Sequence, residues 1–470
     1  MAKIISQETF DSVVMENVTE FDMPINEAIE DAEKDFSAQG VLLANIVKNM
    51  TLSEDKKALQ HEILVSLDKI RAVVDGKAEL PKLDEPLKSF TSQCKCSLAH
   101  RVMATKHNSH ATILKVIEKV DNDASLLEMS LVAMVALTEG NPDILTAEGC
   151  VVMQPLLETW ASKKDNPQIP VYLALWSYES CLKHEKNRQN LVNNGGPGRI
   201  IELLKGHKDN AAIVKACCKA LGAFVLDDDI RIEHGSAHDH ARSLVEDHGM
   251  IKVILEVMKD WLEHVDVSSG LLLTLSKLCV RTEYCQQAVD NDALIVINDV
   301  LVNMPDHAGI NKQAVALLRT ISGNDKVKEQ AMKSGAGSMV IACLNRHQNV
   351  GGVAEACIGA LAMIALRVTA NGKQLVEAGA HQAVVQAMKI HPKNIQVAKL
   401  GCMAIRNMVA RIPENQKHFI ECGVEDVIHT AISIHGEIVK DMAKAALRDC
   451  NLDVKLVEQW TGTGHEIERD

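Results

Sequence analysis

The sequence predicts an all-α fold, namely a right-handed α-solenoid of about eight repeats. The main observation is a unit that occurs three times between residues 327 and 432, in KSGAGSMVIACL, VEAGAHQAVVQAM and IECGVEDVIHTAI. The glycines of the three copies, Gly335, Gly379 and Gly423, are 44 residues apart. After each glycine, apolar residues recur at i, i+3 and i+4, which is the spacing of one buried helix face. Helical units with a period of roughly 40–47 residues are typical of α-solenoids.

The same register continues towards the N terminus. Its turn positions are Asn108, Gly149, Gly195, Gly249, Asp292, Gly335, Gly379 and Gly423. The intervals between them are 41, 46, 54, 43, 43, 44 and 44 residues. Asn and Asp tolerate a left-handed backbone better than most residues with a side chain do, so both fit a turn position. The register therefore predicts a turn between the first and second helix of each repeat.

A second marker has the same period. The asparagines that lie eight residues before a turn position are Asn141, Asn187, Asn371 and Asn415. A side-chain oxygen at such a place can accept a hydrogen bond from the backbone at the start of a helix. We therefore expect these asparagines to cap the short first helix of their repeats.

Composition and charge narrow the range of functions. Apolar residues make up 47% of the chain and aromatic residues only 3%, which suits thin helical layers packed with aliphatic side chains. The 63 acidic and 50 basic residues give a net charge of −13. This balance disfavours nucleic acid as a ligand, because phosphate binding requires a basic surface.

The cysteines and the apolar segments indicate in which cellular compartment the protein is expected. The 13 cysteines are scattered without a framework spacing, and the opening MAKIISQETF lacks an apolar signal segment. No apolar run approaches the roughly 18 residues that a membrane-spanning helix needs. We therefore expect a monomeric protein with reduced thiols in the cytosol, the nucleus or both, with no membrane contact.

The chain is predicted to have three parts. They are an acidic N-terminal helical segment at residues 1–90, a repeat array at 91–450 with an insertion at about 227–248, and a C-terminal helix end with a polar tail at 451–470. Residues 1–50 carry 10 acidic and 3 basic side chains. They form either a cap on the first layer or a docking segment, for a partner or for the groove of the chain itself. Trp460 is expected to anchor the last helix before the tail.

The order of a short first helix, a glycine-containing turn and two longer helices resembles the armadillo repeat. The resemblance extends beyond the repeats. The opening IISQETFDSVVMENVTEF, the segments CLKHEKNRQNLV and LDDDIRIEHGSAHDHA, and the ending AKAALRDCNLDVKLVEQWTG are similar to one family of armadillo-repeat proteins. Over nearly the whole chain, the resemblance implies an armadillo fold and an interaction protein. It implies no catalytic site and no particular partner.

In armadillo proteins the third helices line a concave groove that holds partner peptides. On these helices the candidate partner-binding residues are Lys215, Lys219, Lys277, Arg319, Arg406 and Asn407. Cationic side chains in a groove suit an acidic extended peptide or the acidic segment of the chain itself. The alternative is that they are solvated side chains without a binding role. The Trp and Asn ladder of nuclear-import adaptors is not reproduced, because Trp176 is followed one turn later by Ser180.

The interval between Gly195 and Gly249 is the longest of the series and contains LDDDIRIEHGSAHDHAR. Carboxylates and imidazoles are the side chains that bind zinc, iron or manganese. The alternative function is therefore a metal-binding or metal-dependent regulatory protein that uses His238, His240 and nearby carboxylates, or a pH-sensitive histidine cluster. The simpler interpretation is a polar loop in which Asp227–Asp229 cap a helix, with no metal or cofactor.

No motif indicates catalysis. The His-Glu pairs of helical-repeat hydroxylases would recur in phase, whereas His61-Glu62, His184-Glu185 and His465-Glu466 do not. The chain has no Walker loop, and its glycine-rich LVNNGGPG follows a helix and not a strand, so it is not a dinucleotide fingerprint. We therefore predict a non-enzymatic scaffold or adaptor without catalytic residues. Its partner is a protein or an extended peptide, and the groove cations favour an acidic one.

Overall fold

The computed structural model describes residues 3–55, 57–120, 122–145 and 147–454. Within these ranges the protein consists of α-helices joined by short connections, with no β-strand. No helix in the described part is both long enough and apolar enough to cross a membrane. The predicted polar tail and the predicted Trp460 anchor lie outside the described residues. The chain divides into two compact units, the first ending at His248 and the second beginning at Gly249.

The first unit begins with a helical hairpin, α1 (Gln7–Glu20) and α2 (Ile25–Ala38). The hairpin has a hydrophobic core of its own, in which the ring centroids of Phe10 and Phe36 are 6.1 Å apart. The segment from residue 41 to 52 folds back onto this core. Gln7 holds that segment by donating to the Val47 carbonyl at 2.7 Å and accepting from the Val47 N–H at 2.8 Å. We call residues 3–55 the N-terminal module.

The remaining helices occur mostly in groups of a short first helix, a second helix and a longer third helix. In chain order they are α3 (Glu62–Val74), α4 (Asp84–Cys96), α5 (Leu98–Lys106), α6 (Ser109–Lys119), α7 (Ala124–Thr138), α8 (Ala147–Trp160), α9 (Gln168–Cys181), α10 (Glu185–Asn193), α11 (Gly196–Gly206), α12 (Ala211–Phe224), α13 (Ala237–Glu246), α14 (Met250–Lys259), α15 (Val265–Leu278), α16 (Thr282–Asp290), α17 (Ala293–Asn303), α18 (Ala308–Ile321), α19 (Asp325–Lys333), α20 (Ala336–Arg346), α21 (Gly351–Ala365), α22 (Thr369–Glu377), α23 (Ala380–Ile390), α24 (Ile395–Val409), α25 (Pro413–Glu421), α26 (Val424–His435) and α27 (Glu437–Asp449).

Equivalent helices pack against one another in rows, which is the defining feature of a solenoid. In the first unit the third helices α7, α9 and α12 contact in succession, and so do the second helices α6, α8 and α11. In the second unit the third helices α15, α18, α21, α24 and α27 form one row. The prediction of an all-α solenoid is confirmed. The count of about eight repeats and the boundaries at residues 90 and 450 stay predictions.

Helices α3 and α4 extend both rows of the first unit towards the N terminus. Helix α4 packs on the third helix α7, and α3 packs on the second helix α6. A 3₁₀ turn, Leu80–Leu83, joins the two helices. We therefore propose that the array begins at α3, inside the segment predicted at residues 1–90.

Most predicted turn positions have the left-handed backbone that the register requires. The residues with positive φ between a first and a second helix are Asn108, Gly195, Gly249, Asp292, Gly335, Gly379 and Gly423. Asn108 and Asp292 have φ of 54° and 76°, so the two residues with side chains adopt the same turn as the glycines. Their side chains are short and polar, which is why they tolerate this conformation.

The prediction for Gly149 is wrong, because this residue lies inside α8. The first helix of its group is reduced to one 3₁₀ turn, Pro142–Ile144, so the second helix begins earlier in the register. A side chain at Gly149 would be crowded there. A β-carbon at this position would lie 2.9 Å from Leu145 Cδ1 and 3.2 Å from His110 Cε1. Close packing, and not a turn, requires the glycine.

The predicted capping role of the periodic asparagines is also wrong. Asn371 is buried, and its Nδ2 donates to the carbonyl of Ile364 at 3.1 Å and to that of Lys328 at 3.2 Å. Asn187 and Asn415 bond in the same way, each to the end of the third helix before it and to the preceding group. The side-chain amide therefore acts as a donor between repeats, because carbonyls at a helix end lack partners inside the helix.

A periodic histidine forms a second set of bonds between groups. The histidines twelve residues after a turn glycine are His207, His347, His391 and His435, and their Nε2 atoms contact the carbonyls of Trp160 (2.8 Å), Pro305 (2.8 Å), Gln348 (2.7 Å) and Pro392 (2.9 Å). Each histidine is the last residue of a second helix or the residue directly after it. Its partner carbonyl lies at the end of the equivalent helix in the preceding group, or in the connection that follows that helix. The geometry requires the tautomer that carries its proton on Nε2.

Candidate partner-binding groove

The six predicted partner-binding residues fall into both units. In chain order they are Lys215 and Lys219 on α12 of the first unit, and Lys277 on α15, Arg319 on α18, and Arg406 and Asn407 on α24 of the second unit. Lys219 is exposed and the other five side chains are partly exposed. The second unit therefore carries most of the set, on third helices of one row.

Helix α18 places two basic side chains against two glycines of the neighbouring helix α21. A β-carbon at Gly359 would lie 2.9 Å from Arg319 Nη1, and a β-carbon at Gly352 would lie 3.3 Å from Lys312 Nζ. Lys312 and Arg319 are seven residues apart, which is about two helical turns, so they share one face of α18. The two cations therefore lie along one edge of α21.

Helix α21 has few side chains in this region. Gly352 and Gly359 lie on one face, and Glu355 lies between them in sequence. Glu355 is partly exposed, and its Oε1 accepts a hydrogen bond from Asn394 Nδ2 at 2.7 Å. We call Gly352, Glu355 and Gly359 the glycine floor. Gly352 is partly exposed, so the backbone of a ligand can approach the helix there, whereas Gly359 is buried against Arg319.

Helix α24 packs on the other side of α21 and supplies a second pair of cations, Lys399 and Arg406, again seven residues apart. Arg406 Nε donates to Asp449 Oδ2 on α27 at 3.0 Å. Asn407 Nδ2 donates to the Ala362 carbonyl on α21 at 2.8 Å. Asn407 therefore holds α24 against α21, while a carboxylate of a ligand at Arg406 would compete with Asp449.

Sequence analysis missed Lys312 and Lys399. Each lies seven residues before a predicted arginine, so extending the helical period backwards from Arg319 and Arg406 finds both. No spacing in the sequence indicates the glycine floor. The contact of Arg319 with Gly359 depends on which helices are neighbours, and that is a property of the fold.

The third helices of the first unit have a more mixed character. The Lys219 ammonium lies 5.8 Å from the ring centroid of Tyr178 on α9. Burial raises the pKa of the neighbouring Glu179, and the negative charge of Glu139 adds to the effect. Lys215 is partly exposed and has interactions of its own. An acidic ligand would meet carboxylates here, so this face is a less favourable site for it than the second unit.

Helices α4 and α7 of the first unit enclose a surface pocket of about 320 Å³. Met129 and Val132 give it an apolar lining, and Lys88 and Lys95 lie on α4 beside it. Lys88 pairs with Asp84 at 2.7 Å. Lys88 was not predicted, because the array was expected to begin after residue 90.

The predicted insertion divides into a loop, residues 225–236, and helix α13, which is the first helix of the next group. The loop carboxylates bind the start of α10. Asp229 Oδ2 accepts from the Glu185 N–H at 2.9 Å, and the Asp228 carboxylate accepts from the Lys183 N–H at 3.1 Å. The capping interpretation is thus confirmed for Asp229, although the helix it caps belongs to the preceding group.

A fully buried ion pair lies beneath this loop. Arg188 Nε donates to Glu185 Oε2 at 2.9 Å, and both side chains are inaccessible to solvent. Burial alone would raise the pKa of Glu185, but the Ser236 N–H and the Arg188 guanidinium outweigh it and hold that pKa below its ordinary value. Arg188 also donates to Asp228 and to the Cys181 carbonyl, which ties the loop to α9 and α10.

Arg231 connects the loop to a third element. Its guanidinium donates to both carboxylate oxygens of Asp229, and these bonds hold the pKa of Asp229 well below its ordinary range. The same guanidinium donates to Asp143 at 2.8 Å and to the Lys183 carbonyl at 2.9 Å. Asp228 and Asp229, two of the carboxylates that suggested a metal site, are therefore engaged by arginines and backbone N–H groups.

The structure does not assemble the alternative metal site. In the described part of the chain, no three His, Cys, Asp or Glu side chains converge where an ion could be held. His240 is buried and its Nδ1 lies 2.9 Å from the Phe224 carbonyl, while His238 is exposed on α13. The histidines and carboxylates of the insertion serve different local contacts.

The N-terminal module contacts the rest of the first unit near connections between helices. His61 Nε2 lies 3.4 Å from Asp11 Oδ2. Glu8 is within electrostatic range of Lys106 and His107, at the end of α5. These contacts place the module beside the α5–α6 turn. Its role as a cover for a groove stays a prediction.

Two family models match nearly the whole chain. The armadillo repeat-containing protein 6 N-terminal domain matches residues 2–62, and ARMC6 matches residues 63–468. The chain belongs to the armadillo repeat-containing protein 6 family. The two matches meet at the start of α3, where the N-terminal module has ended. The resemblance noted in the sequence is confirmed.

Curated relatives agree with this assignment. An armadillo repeat-containing protein 6 homolog of Drosophila melanogaster is 35% identical over 373 residues, which cover 78% of this chain and 78% of the relative. Human armadillo repeat-containing protein 6 is 36% identical over 388 residues, which cover 79% of this chain and 76% of the relative. The similarity therefore extends over most of both chains.

Solved structures support the fold. One engineered protein superposes with a TM-score of 0.56 at 15% identity, over 82% of this chain and 99% of its own. A structure from work on a phosphorylation switch between cadherin and β-catenin superposes with a TM-score of 0.59 at 13% identity, over 82% of this chain and 68% of its own. At these identities the likeness shows the architecture alone.

Proposed function

We propose that the protein is a non-enzymatic scaffold that binds an extended acidic peptide of a partner protein across α18, α21 and α24. The observation that carries the proposal is the contact of Lys312 and Arg319 on α18 with the two glycines of α21. Lys399 and Arg406 lie on α24, the next helix of the row, where Arg406 pairs with Asp449 of α27. In a chain of net charge −13, this local basic surface suits a ligand of opposite charge.

The spacing of the helices sets the spacing of the acidic groups. Helices that pack directly are roughly 8–10 Å apart, so α18 and α24, which flank α21, are about 16–20 Å apart. An extended chain rises about 3.3 Å per residue. A ligand that crosses the glycine floor should therefore carry acidic side chains about five or six residues apart, one for each basic helix.

The floor also limits what can lie between these acidic residues. Glu355 stands between the two glycines in sequence, and its carboxylate would repel a third acidic side chain. The middle of the ligand is therefore expected to be neutral or small. This pattern of an acidic residue, a neutral spacer and a second acidic residue is specific enough to be recognised in a selected sequence.

Selection from a displayed library of random twelve-residue peptides tests the proposal. Wild-type protein should enrich peptides with two acidic residues about five or six positions apart. The variant Arg319→Glu/Arg406→Glu should not enrich them. The control Lys326→Glu/Lys417→Glu makes the same charge change on exposed residues of the first helices α19 and α25 and should enrich the wild-type set. Enrichment of basic or purely apolar peptides would refute the proposal.

A further inference from the structure

The loop at residues 225–236 exposes one isoleucine completely. Ile230 has a relative exposure of 101%, and Ile232, two residues later, has 40%. The next most exposed large apolar side chain in the described residues is Ile4, at 73%. Single exposed apolar residues are common on protein surfaces, so exposure alone does not indicate a function here.

The backbone on both sides of Ile230 is held in place. The preceding residue, Asp229, is buried and accepts the Glu185 N–H, and the following residue, Arg231, donates to Asp229 through its own N–H at 3.1 Å. Arg231 also reaches Asp143 and the Lys183 carbonyl. The fully exposed side chain of Ile230 thus lies between two residues that each make several hydrogen bonds.

The base of the loop is fixed as well. Asp228 is bonded to the buried Arg188, and the Ser236 N–H donates to Glu185 at 2.7 Å. The loop is therefore anchored at its start, at its tip and at its end to α10, and through Asp143 to a neighbouring group. Such anchoring removes most of the entropic cost that a flexible loop would incur on binding a partner.

The rim of the tip is acidic. Asp227 and Glu233 are exposed on either side of Ile230. The half-exposed guanidinium of Arg231, next to Ile230, is paired with two carboxylates, which leaves the two exposed acids as the unneutralised charges of the rim. A complementary surface would have an apolar pocket with basic side chains at its edge. Apolar anchors that enter a pocket, surrounded by a charged rim, are the usual arrangement of a binding hot spot.

We infer that Ile230, supported by Ile232, is a fixed anchor that inserts into an apolar, basic-rimmed pocket of a folded partner protein. This surface is formed by residues of the first unit alone and shares no residue with the glycine floor. It needs no change in the loop, because the anchoring contacts are already present. The inference does not rest on the proposed peptide ligand, and each can fail without the other.

A photo-crosslinking residue at position 230 of the full-length protein in cells tests the inference. The matched control carries the same residue at position 295, because Ile295 on α17 is also exposed, at 57%. A protein that crosslinks at 230 and not at 295 is then purified and titrated against the wild-type chain and the variants Ile230→Asp and Ile295→Asp. Thermal melts should show that both variants fold like the wild type, since neither replaces a buried group.

The expected result is that Ile230→Asp weakens the dissociation constant for the purified protein at least about tenfold, while Ile295→Asp changes it less than about twofold. Glu233→Lys should weaken it too, through the rim. Arg319→Glu/Arg406→Glu should leave it unchanged. The inference is overturned if no protein crosslinks specifically at 230, if the only product is a second copy of this chain, or if Ile230→Asp binds like the wild type.

Discussion

The Arg319 guanidinium on α18 lies against the backbone of Gly359 on α21, at a place where a β-carbon would stand 2.9 Å from Nη1. The arginine is therefore positioned by the absence of a side chain on its neighbour. Gly359 itself is buried, so a ligand at the glycine floor meets the partly exposed guanidinium that covers it. The relationship makes Gly359 as important to the proposed site as the arginine.

Replacing Gly359 with alanine should weaken peptide binding without lowering the stability of the protein. The substitution Gly359→Ala favours the helix by up to about 1 kcal/mol, and the added methyl group displaces the flexible end of Arg319. We expect unchanged or higher thermal stability, together with weaker binding of the selected acidic peptide. A melting curve and a titration of the same sample measure both. Full retention of affinity would mean that the position of the guanidinium on the floor is irrelevant.

The buried pair of Arg188 and Glu185 should be sensitive to the loss of one partner. Arg188→Met leaves the Glu185 carboxylate buried without its counter-ion, so we expect the free energy of unfolding to fall by about 3–5 kcal/mol. The double variant Glu185→Gln/Arg188→Met should be less destabilised than the single one. Urea denaturation followed by circular dichroism measures both.

A control for this experiment is the more exposed pair of Arg199 with Glu158, whose Nε–Oε1 distance is 2.7 Å. Arg199→Met should cost no more than about 1 kcal/mol, because solvent screens the pair. Equal losses in Arg199→Met and Arg188→Met would contradict the argument from burial.

The asparagine bonds between groups should contribute measurably to the array. Asn371→Ala leaves the carbonyls of Ile364 and Lys328 without their shared donor, and we expect a loss of about 1–3 kcal/mol. Asn345, which is exposed on α20, serves as the control. If Asn345→Ala and Asn371→Ala lower the denaturation midpoint equally, the periodic asparagine has no special role.

His110 should make the first unit sensitive to mild acid. Burial lowers its pKa from 6.5 to about 4, and its Nε2 has no hydrogen-bond partner. The folded state therefore holds the neutral imidazole, while the unfolded state takes up a proton below pH 6.5. The stability that this difference provides is complete above pH 6.5 and is lost as the pH falls towards 4, by up to about 3 kcal/mol.

The substitution His110→Phe tests whether His110 makes the free energy of unfolding fall as the pH is lowered. Its free energy of unfolding should change less between pH 7 and pH 4.5 than that of the wild type. His429→Phe, at a histidine with a side-chain exposure of 55%, should keep the wild-type slope. The same slope in all three proteins would show that His110 does not remain neutral in the folded state.

The sequence was most informative where the requirement is local. A left-handed turn restricts the residue that occupies it, so the turn positions appear as a period of Gly, Asn and Asp. Gly149 fits that period although it lies inside α8, where its small size serves packing against His110. Sequence spacing cannot distinguish these two reasons for a glycine.

Requirements that join distant residues were not visible in the sequence. Asn371 suggested a local cap, yet its partners include a carbonyl 43 residues away. Asp228 and Asp229 are of a residue type that binds metal ions, and only the fold brings the buried Arg188 to Asp228. The histidine bonds were missed for the same reason, although their fixed offset from the turn glycine was present in the sequence.

The measurement that tests the central claim most directly is a titration of the most enriched acidic peptide against three proteins. They are the wild type, Arg319→Glu/Arg406→Glu and the control Lys326→Glu/Lys417→Glu. We predict that the first variant weakens the dissociation constant at least about tenfold and that the control changes it by less than about twofold. Equal affinity for all three proteins, or an equal loss in both variants, would contradict a binding site on α18, α21 and α24.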